Sequence, residues 1–151
     1  MITRRHLLAG IAASAVMPVF PVAAGATALP EVTAFRQPGC GCCEVWVERM
    51  KAAGFSATMA DDEALGDRRA KLGVPADLGG CHLALVDGYV IEGHVPPADI
   101  IRLLEAKLDA LGLSVPGMPA GSPGMETGGT GEPYEVVLMG RDGSRSVYAR
   151  Y

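Results

Sequence analysis

Three observations predict an α/β (α+β) chain in which strands and helices alternate. Between Val32 and Leu111 the apolar residues switch repeatedly between strand-like alternation and helical spacing of about 3.6 residues. Asp87-Gly88 separates two apolar, β-prone runs, which is a strong hairpin signal. Gly54, Gly73, Pro75 and Gly112 stand where one pattern gives way to the next. Alternation of this kind favours a mixed sheet flanked by helices. A chain of 151 residues is long enough for one domain with its own core.

Taken in order, Val32-Thr33-Ala34-Phe35 reads as the first strand, and a Cys-rich loop follows it directly. Cys43, Trp46, Val47 and Met50 recur on one helical face, predicting a helix from Cys43 to Ala53 with Gly54 as its terminator. Phe55 to Met59 alternates as a second strand. Asp61 or Asp62 then caps a helix running to Leu72, stopped by Gly73 and Pro75. His82 to Val86 and Tyr89 to Ile91 form the hairpin. Ile100, Ile101, Leu104, Leu108 and Leu111 predict a third helix from Pro97 to Leu111, closed by Gly112. The resulting order, β-α-β-α-β-β-α, is that of a thioredoxin-like domain.

Between Ser114 and Pro133, Gly and Pro fill half the positions, so the segment is neither helix nor central strand. This Gly/Pro/Met-rich loop repeats Pro-Gly-Met at Pro116-Gly117-Met118 and Pro123-Gly124-Met125. Tyr134–Met139 and Ser146–Tyr151, around Arg141-Asp142-Gly143, read as a C-terminal hairpin. The loop is therefore expected to be tied at both ends and to lie across the domain.

Residues 1–28 carry Arg4-Arg5, an apolar run to about Val22 and small residues in Ala-x-Ala settings, the layout of a cleaved export signal. Thr3-Arg4-Arg5-His6-Leu7-Leu8 resembles a twin-arginine signal. Pro18, Pro21 and Gly25 interrupt the run before the ~20 apolar residues that a membrane span needs. No stable membrane insertion is expected after cleavage. The expected mature chain, 29–151, is one domain in the bacterial periplasm, an oxidising compartment. The formal charge of −4 and the lack of any basic block argue against nucleic acid as a partner.

Three of the four cysteines, Cys40, Cys42 and Cys43, fall within four residues at the predicted strand-to-helix junction. A helix N-terminus favours thiolate, which helps disulfide exchange and metal binding alike. The Cys40/Cys43 pair has the Cys-x-x-Cys spacing of a dithiol redox site, and Cys42 is one thiol more than such a site uses. A soft metal uses every thiolate within reach. Three ligands in four residues fit a single tetrahedral zinc poorly, whereas Cu(I) tolerates two or three thiolates and shares bridging sulfurs. In a thioredoxin-like domain the chain leading into the third strand passes beside this loop, so Cys81 is expected to face the other three sulfurs. His82 and His94 are candidates to orient a thiolate or to act as outer copper ligands, and Met118 and Met125 are candidates to cap the cluster with a thioether. Met50, Met59 and Trp46 read as packing residues.

Cys40-Gly41-Cys42-Cys43, Leu72-Gly73-Val74-Pro75, Cys81-His82, Val86 to Pro96 and Val115-Pro116-Gly117-Met118-Pro119 together resemble the DUF411 family, which includes exported CopG-type copper-resistance proteins. The resemblance covers Val32 to Tyr151. It implies a thioredoxin-like envelope protein that handles copper, with Cys40, Cys42, Cys43 and Cys81 as the ligands. The expected cargo is Cu(I), with more than one ion in a thiolate cluster. The expected partners are copper ions and a periplasmic copper carrier or efflux component. The alternative is a thiol-disulfide or copper oxidoreductase that uses Cys40 and Cys43.

Overall fold

The computed structural model describes residues 28–126, 128 and 131–151. The export-signal reading falls almost wholly outside them. Seven strands form one mixed sheet: β1 (Val32–Arg36), β2 (Ala57–Asp61), β3 (His82–Val86), β4 (Tyr89–Glu92), β5 (Gly112–Ser114), β6 (Glu135–Met139) and β7 (Arg145–Arg150). Their spatial order is β2-β1-β3-β4-β5-β6-β7. Pairing is parallel between β1 and β2 and between β4 and β5, and antiparallel elsewhere. Among the described residues three α-helices accompany the sheet, α1 (Gly41–Ala52), α2 (Leu65–Leu72) and α3 (Pro97–Ala106), with a single 3-10 turn at Ala76–Leu78. Among the described residues no helix is long and apolar enough to cross a membrane.

Side-chain alternation sorts the core into two layers. Val32 and Ala34 of β1, Ala84 and Val86 of β3 and Ile91 of β4 pack with Trp46 and Met50 of α1 and with Ile100 and Leu103 of α3. The intervening positions, Leu83 of β3 and Val90 of β4, turn to the opposite face and meet Leu65 of α2, Val74 and Leu78. The same parity sends His82 toward α1 and Glu92 toward α2. Met50 and Trp46 are core residues, and Met59 packs against that core from its edge.

Two elements depart from the expected pattern. The third helix stops at Ala106, not Leu111, because Lys107 takes a left-handed conformation (φ 48°) and its N–H turns back to the Leu103 carbonyl. The apolar residues beyond it, Leu108 and Leu111, belong to the connection that leads into β5. Gly112 therefore opens a strand instead of closing a helix. Through β5 and its partner β6 the sheet continues into the C-terminal hairpin, so that hairpin extends the sheet.

Candidate metal centre

Cys40 sits at the N-cap position of α1 in extended conformation, and Cys42 and Cys43 occupy its first turn. The positive end of the α1 dipole therefore lies at this turn, and the Cys40 side chain makes no capping hydrogen bond to it. Cys43 is fully buried, while Cys40 and Cys42 are half-buried. Arg36, at the end of β1, donates from Nη1 to the Cys40 carbonyl at 2.7 Å. It also pairs with Glu44 and Asp61, each at 2.8 Å. The loop is thus held by its own helix and by the adjoining strand.

Cys81 arrives from the other side, on the segment between Leu78 and β3. Its Sγ lies 2.8 Å from that of Cys40, 3.2 Å from that of Cys42 and 3.1 Å from that of Cys43. Cys40 and Cys42 sulfurs are 3.4 Å apart. These separations are closer than non-bonded atoms ordinarily pack. Cys40 and Cys43 are joined as a disulfide with a Cα–Cα distance of 5.6 Å, and Cys42 and Cys81 are free thiols. Burial pushes the Cys81 thiol up to about 12, the Cys42 sulfur adds to that rise, and Arg69 pulls against it. Cys81 is therefore a neutral thiol at physiological pH, and a metal that binds it must displace its proton.

His82 and His94 extend the donor set inward. A lone histidine beside a strand is ordinarily solvated or hydrogen-bonded, but both of these are fully buried. The His82 ring lies against Trp46, with centroids 4.3 Å apart, and meets His94 edge-on at 5.0 Å. The Pro123 carbonyl lies 2.8 Å from His94 Nδ1, so Nδ1 carries the proton and Nε2 keeps its lone pair. His94 Nε2 and both ring nitrogens of His82 are buried without a hydrogen-bond partner among the described residues. Burial depresses both imidazoles, His82 to about 3, with the positive charge of Arg69 and the neighbouring His94 lowering His82 further. Neutral, orphaned ring nitrogens are the form in which histidine binds metals. The four cysteine sulfurs lie within 4.8 Å of one another, and so do the donor atoms of Cys81, His82 and His94.

The Gly/Pro/Met-rich loop covers this site. Gly124 takes a left-handed conformation (φ 90°), and a Cβ there would stand 3.1 Å from the Trp46 backbone nitrogen and 3.3 Å from His94 Nδ1. Only glycine lets the second Pro-Gly-Met lie so close to α1. Met118 of the first repeat is 57% exposed and rims an open cavity of ≈ 380 Å³, shared with Cys40, Cys81, Leu65 and Arg69. Met125 is half-buried beside Gly124 and does not line that cavity. The two repeats therefore occupy different sides of the site.

Three residues at the site were not singled out from the sequence: Arg69, Gly80 and Glu92. Glu92 is fully buried and receives Arg69 Nε at 2.9 Å. Its one sequence signal is an acidic side chain at the end of an otherwise apolar strand, directly before Gly93-His94.

A mixed α/β scaffold thus gathers four cysteine sulfurs at one helix start, with two buried imidazoles behind them, as a donor group able to hold a metal ion. The chain belongs to the DUF411 family and is of the CopG type. The family model, described as a protein of unknown function, matches residues 78–125, which include Cys81, His82, His94, Met118 and Met125. Two solved structures of copper resistance protein CopG, forms 1 and 2, are similar to this chain over its described fold. Each is 42% identical, with a TM-score of 0.78, and the match covers 82% of this chain and 98% of the other. No curated protein sequence matches significantly.

Proposed function

We propose that this chain is an exported copper-binding protein of the bacterial envelope that holds Cu(I) for copper tolerance. The observation that carries the reading is the convergence of four cysteine sulfurs within 4.8 Å of one another. Cys40, Cys42, Cys43 and Cys81 are the thiolate ligands in this reading. Four thiolates so close repel one another strongly, and monovalent soft ions bridging them offset that charge better than a single tetrahedral zinc. His82 and His94 complete the inner side of the cluster through their free ring nitrogens, and Met118 offers a thioether at its open side. Kinship with CopG supports copper as the cargo. The layout of residues 1–28 supports export to the periplasm, where a copper carrier or an efflux component is the natural partner.

Anaerobic titration of the reduced, signal-free protein with Cu(I) against a chromophoric chelator tests this. The expected result is more than one ion per chain, lost progressively as cysteines are changed to serine. Absence of binding, or binding indifferent to those changes, overturns it.

The Cys40–Cys43 disulfide favours a second reading, a copper or thiol oxidoreductase. Two Cu(II) ions would each accept one electron from the reduced pair, which forms its S–S bond and releases two protons. Repeated Cu(II) reduction fed by an external thiol, abolished in Cys40→Ser, supports that reading. A single stoichiometric oxidation counts against it.

A further inference from the structure

We propose that the Arg69–Glu92 ion pair is the positioning device of Cys81, clamping the preceding peptide so that the fourth sulfur meets the other three. The inference rests on the copper-binding reading above. Leu65 and Arg69 are one turn apart on α2 and share the face that covers the sheet. Leu65 buries itself there, and Arg69 is thereby aimed at Glu92 on β4. Glu92 is 0% exposed and the Arg69 side chain 20%.

A buried ion pair is a poor stabiliser, because removing two charges from water costs about as much as their attraction returns. Here the further hydrogen bonds of the pair converge on one residue. Arg69 Nε donates to both Glu92 oxygens, at 2.9 and 3.1 Å. Arg69 Nη2 donates to the Gly80 carbonyl at 2.7 Å, and the Gly80 N–H donates to Glu92 Oε2 at 2.8 Å. Both backbone polar groups of the residue directly before Cys81 are therefore held by the pair.

Gly80 needs such a hold. It lies outside β3, and its ladder contact is an isolated bridge to Gly117. A Cβ on Gly80 would fall 2.5 Å from the Gly93 Cα and 2.6 Å from its nitrogen, so the backbone is pressed against the end of β4. The ion pair, the Gly93 contact and the Gly117 bridge close three sides around one peptide, and the Cys81 side chain leaves from its end. Arg36 makes a comparable bond to the Cys40 carbonyl, but that carbonyl belongs to a residue already placed by α1.

The decisive variant replaces both charges with apolar groups, Arg69→Met with Glu92→Leu, because such exchanges commonly preserve stability. Thermal unfolding, Cu(I) affinity against a chelator and the luminescence of the Cu(I)–thiolate protein are compared with wild type and with Cys81→Ser. We expect an unfolding midpoint close to wild type, an affinity lower by about 10–100-fold, and a luminescence spectrum like that of Cys81→Ser. Wild-type affinity and spectrum in the double variant overturn the clamp. Should the double variant not fold, Arg69→Lys serves. It keeps the charge but loses the forked donor set, so it is expected to weaken binding in the same direction. Unchanged affinity in Arg69→Lys overturns the clamp as well. A wild-type protein that binds no Cu(I) removes the copper reading itself, whereas a wild type that binds as Cys81→Ser does overturns the clamp alone, because Cys81 is then no ligand.

Discussion

The two halves of the cysteine site are built in opposite ways. Cys40, Cys42 and Cys43 are placed by one local event, the start of α1 after β1. Cys81 is placed by contacts from α2, β4 and the Gly117 loop, all distant in sequence. A local half forms whenever its helix forms. A long-range half exists only when the sheet, the ion pair and the loop are all in register. The difference predicts that damage to the scaffold costs the fourth sulfur first.

The largest effect is expected where both halves meet. Trp46 is fully buried, and its Nε1 donates to the Val95 carbonyl at 2.9 Å. Its ring packs against His82, which follows Cys81 directly. Trp46→Ala opens a cavity beneath both halves and is expected to cost ~3–5 kcal/mol, read from urea unfolding of the metal-free protein. A loss below ~1 kcal/mol would mean that the two halves do not share this support.

Gly80→Ala sharpens the comparison by striking one half only. The added methyl meets backbone of Gly93, which has no side-chain freedom with which to yield. The expected stability cost is ~1–3 kcal/mol, smaller than that of Trp46→Ala. Cu(I) affinity should nevertheless fall to the level of Cys81→Ser, while helical circular dichroism is retained. Wild-type affinity in this variant would break the claim that Cys81 depends on its approach path.

The same division explains what was legible in the sequence. The Cys40–Cys43 loop could be placed at a helix start because Cys43, Trp46, Val47 and Met50 keep helical spacing directly behind it. The β3–β4 hairpin was legible from Asp87-Gly88, where Asp87 takes φ 46° and Gly88 φ 80°. The end of α3 was not, because Leu108 and Leu111 continue the apolar spacing and the stop at Lys107 is a backbone choice by a residue that ordinarily propagates a helix. The burial of His82 and His94 was equally hidden. A histidine beside a strand is usually solvated, and only the docking of Trp46 and of the Pro123 carbonyl decides otherwise. Arg69 and Glu92 stand 23 residues apart, and nothing short-range in either neighbourhood marks them as partners.

Acid provides the mildest way to separate the halves, since the histidines stand only on the Cys81 side. The folded state holds His82 at about 3, far below its ordinary 6.5, because burial disfavours the imidazolium and the nearby His94 and Arg69 add to that cost. The folded protein therefore binds fewer protons than the unfolded chain between those two values. The contribution of His82 to stability is fully present above pH 6.5 and is lost as pH falls from 6.5 toward 3. His94, also depressed by burial, acts in the same direction. Glu92 acts in the opposite one, since burial raises its pKa and the folded state takes up its proton more readily, against the pull of Arg69 and of the Gly80 N–H. The histidines of the unfolded chain begin to take up protons near 6.5 while those of the folded state resist, so urea midpoints of the metal-free protein should decline between pH 7 and pH 5. His82→Phe, which keeps a ring against Trp46 but does not titrate, should flatten part of that decline. An unchanged slope in His82→Phe would assign the acid sensitivity elsewhere and leave the long-range half no more sensitive to acid than the local one.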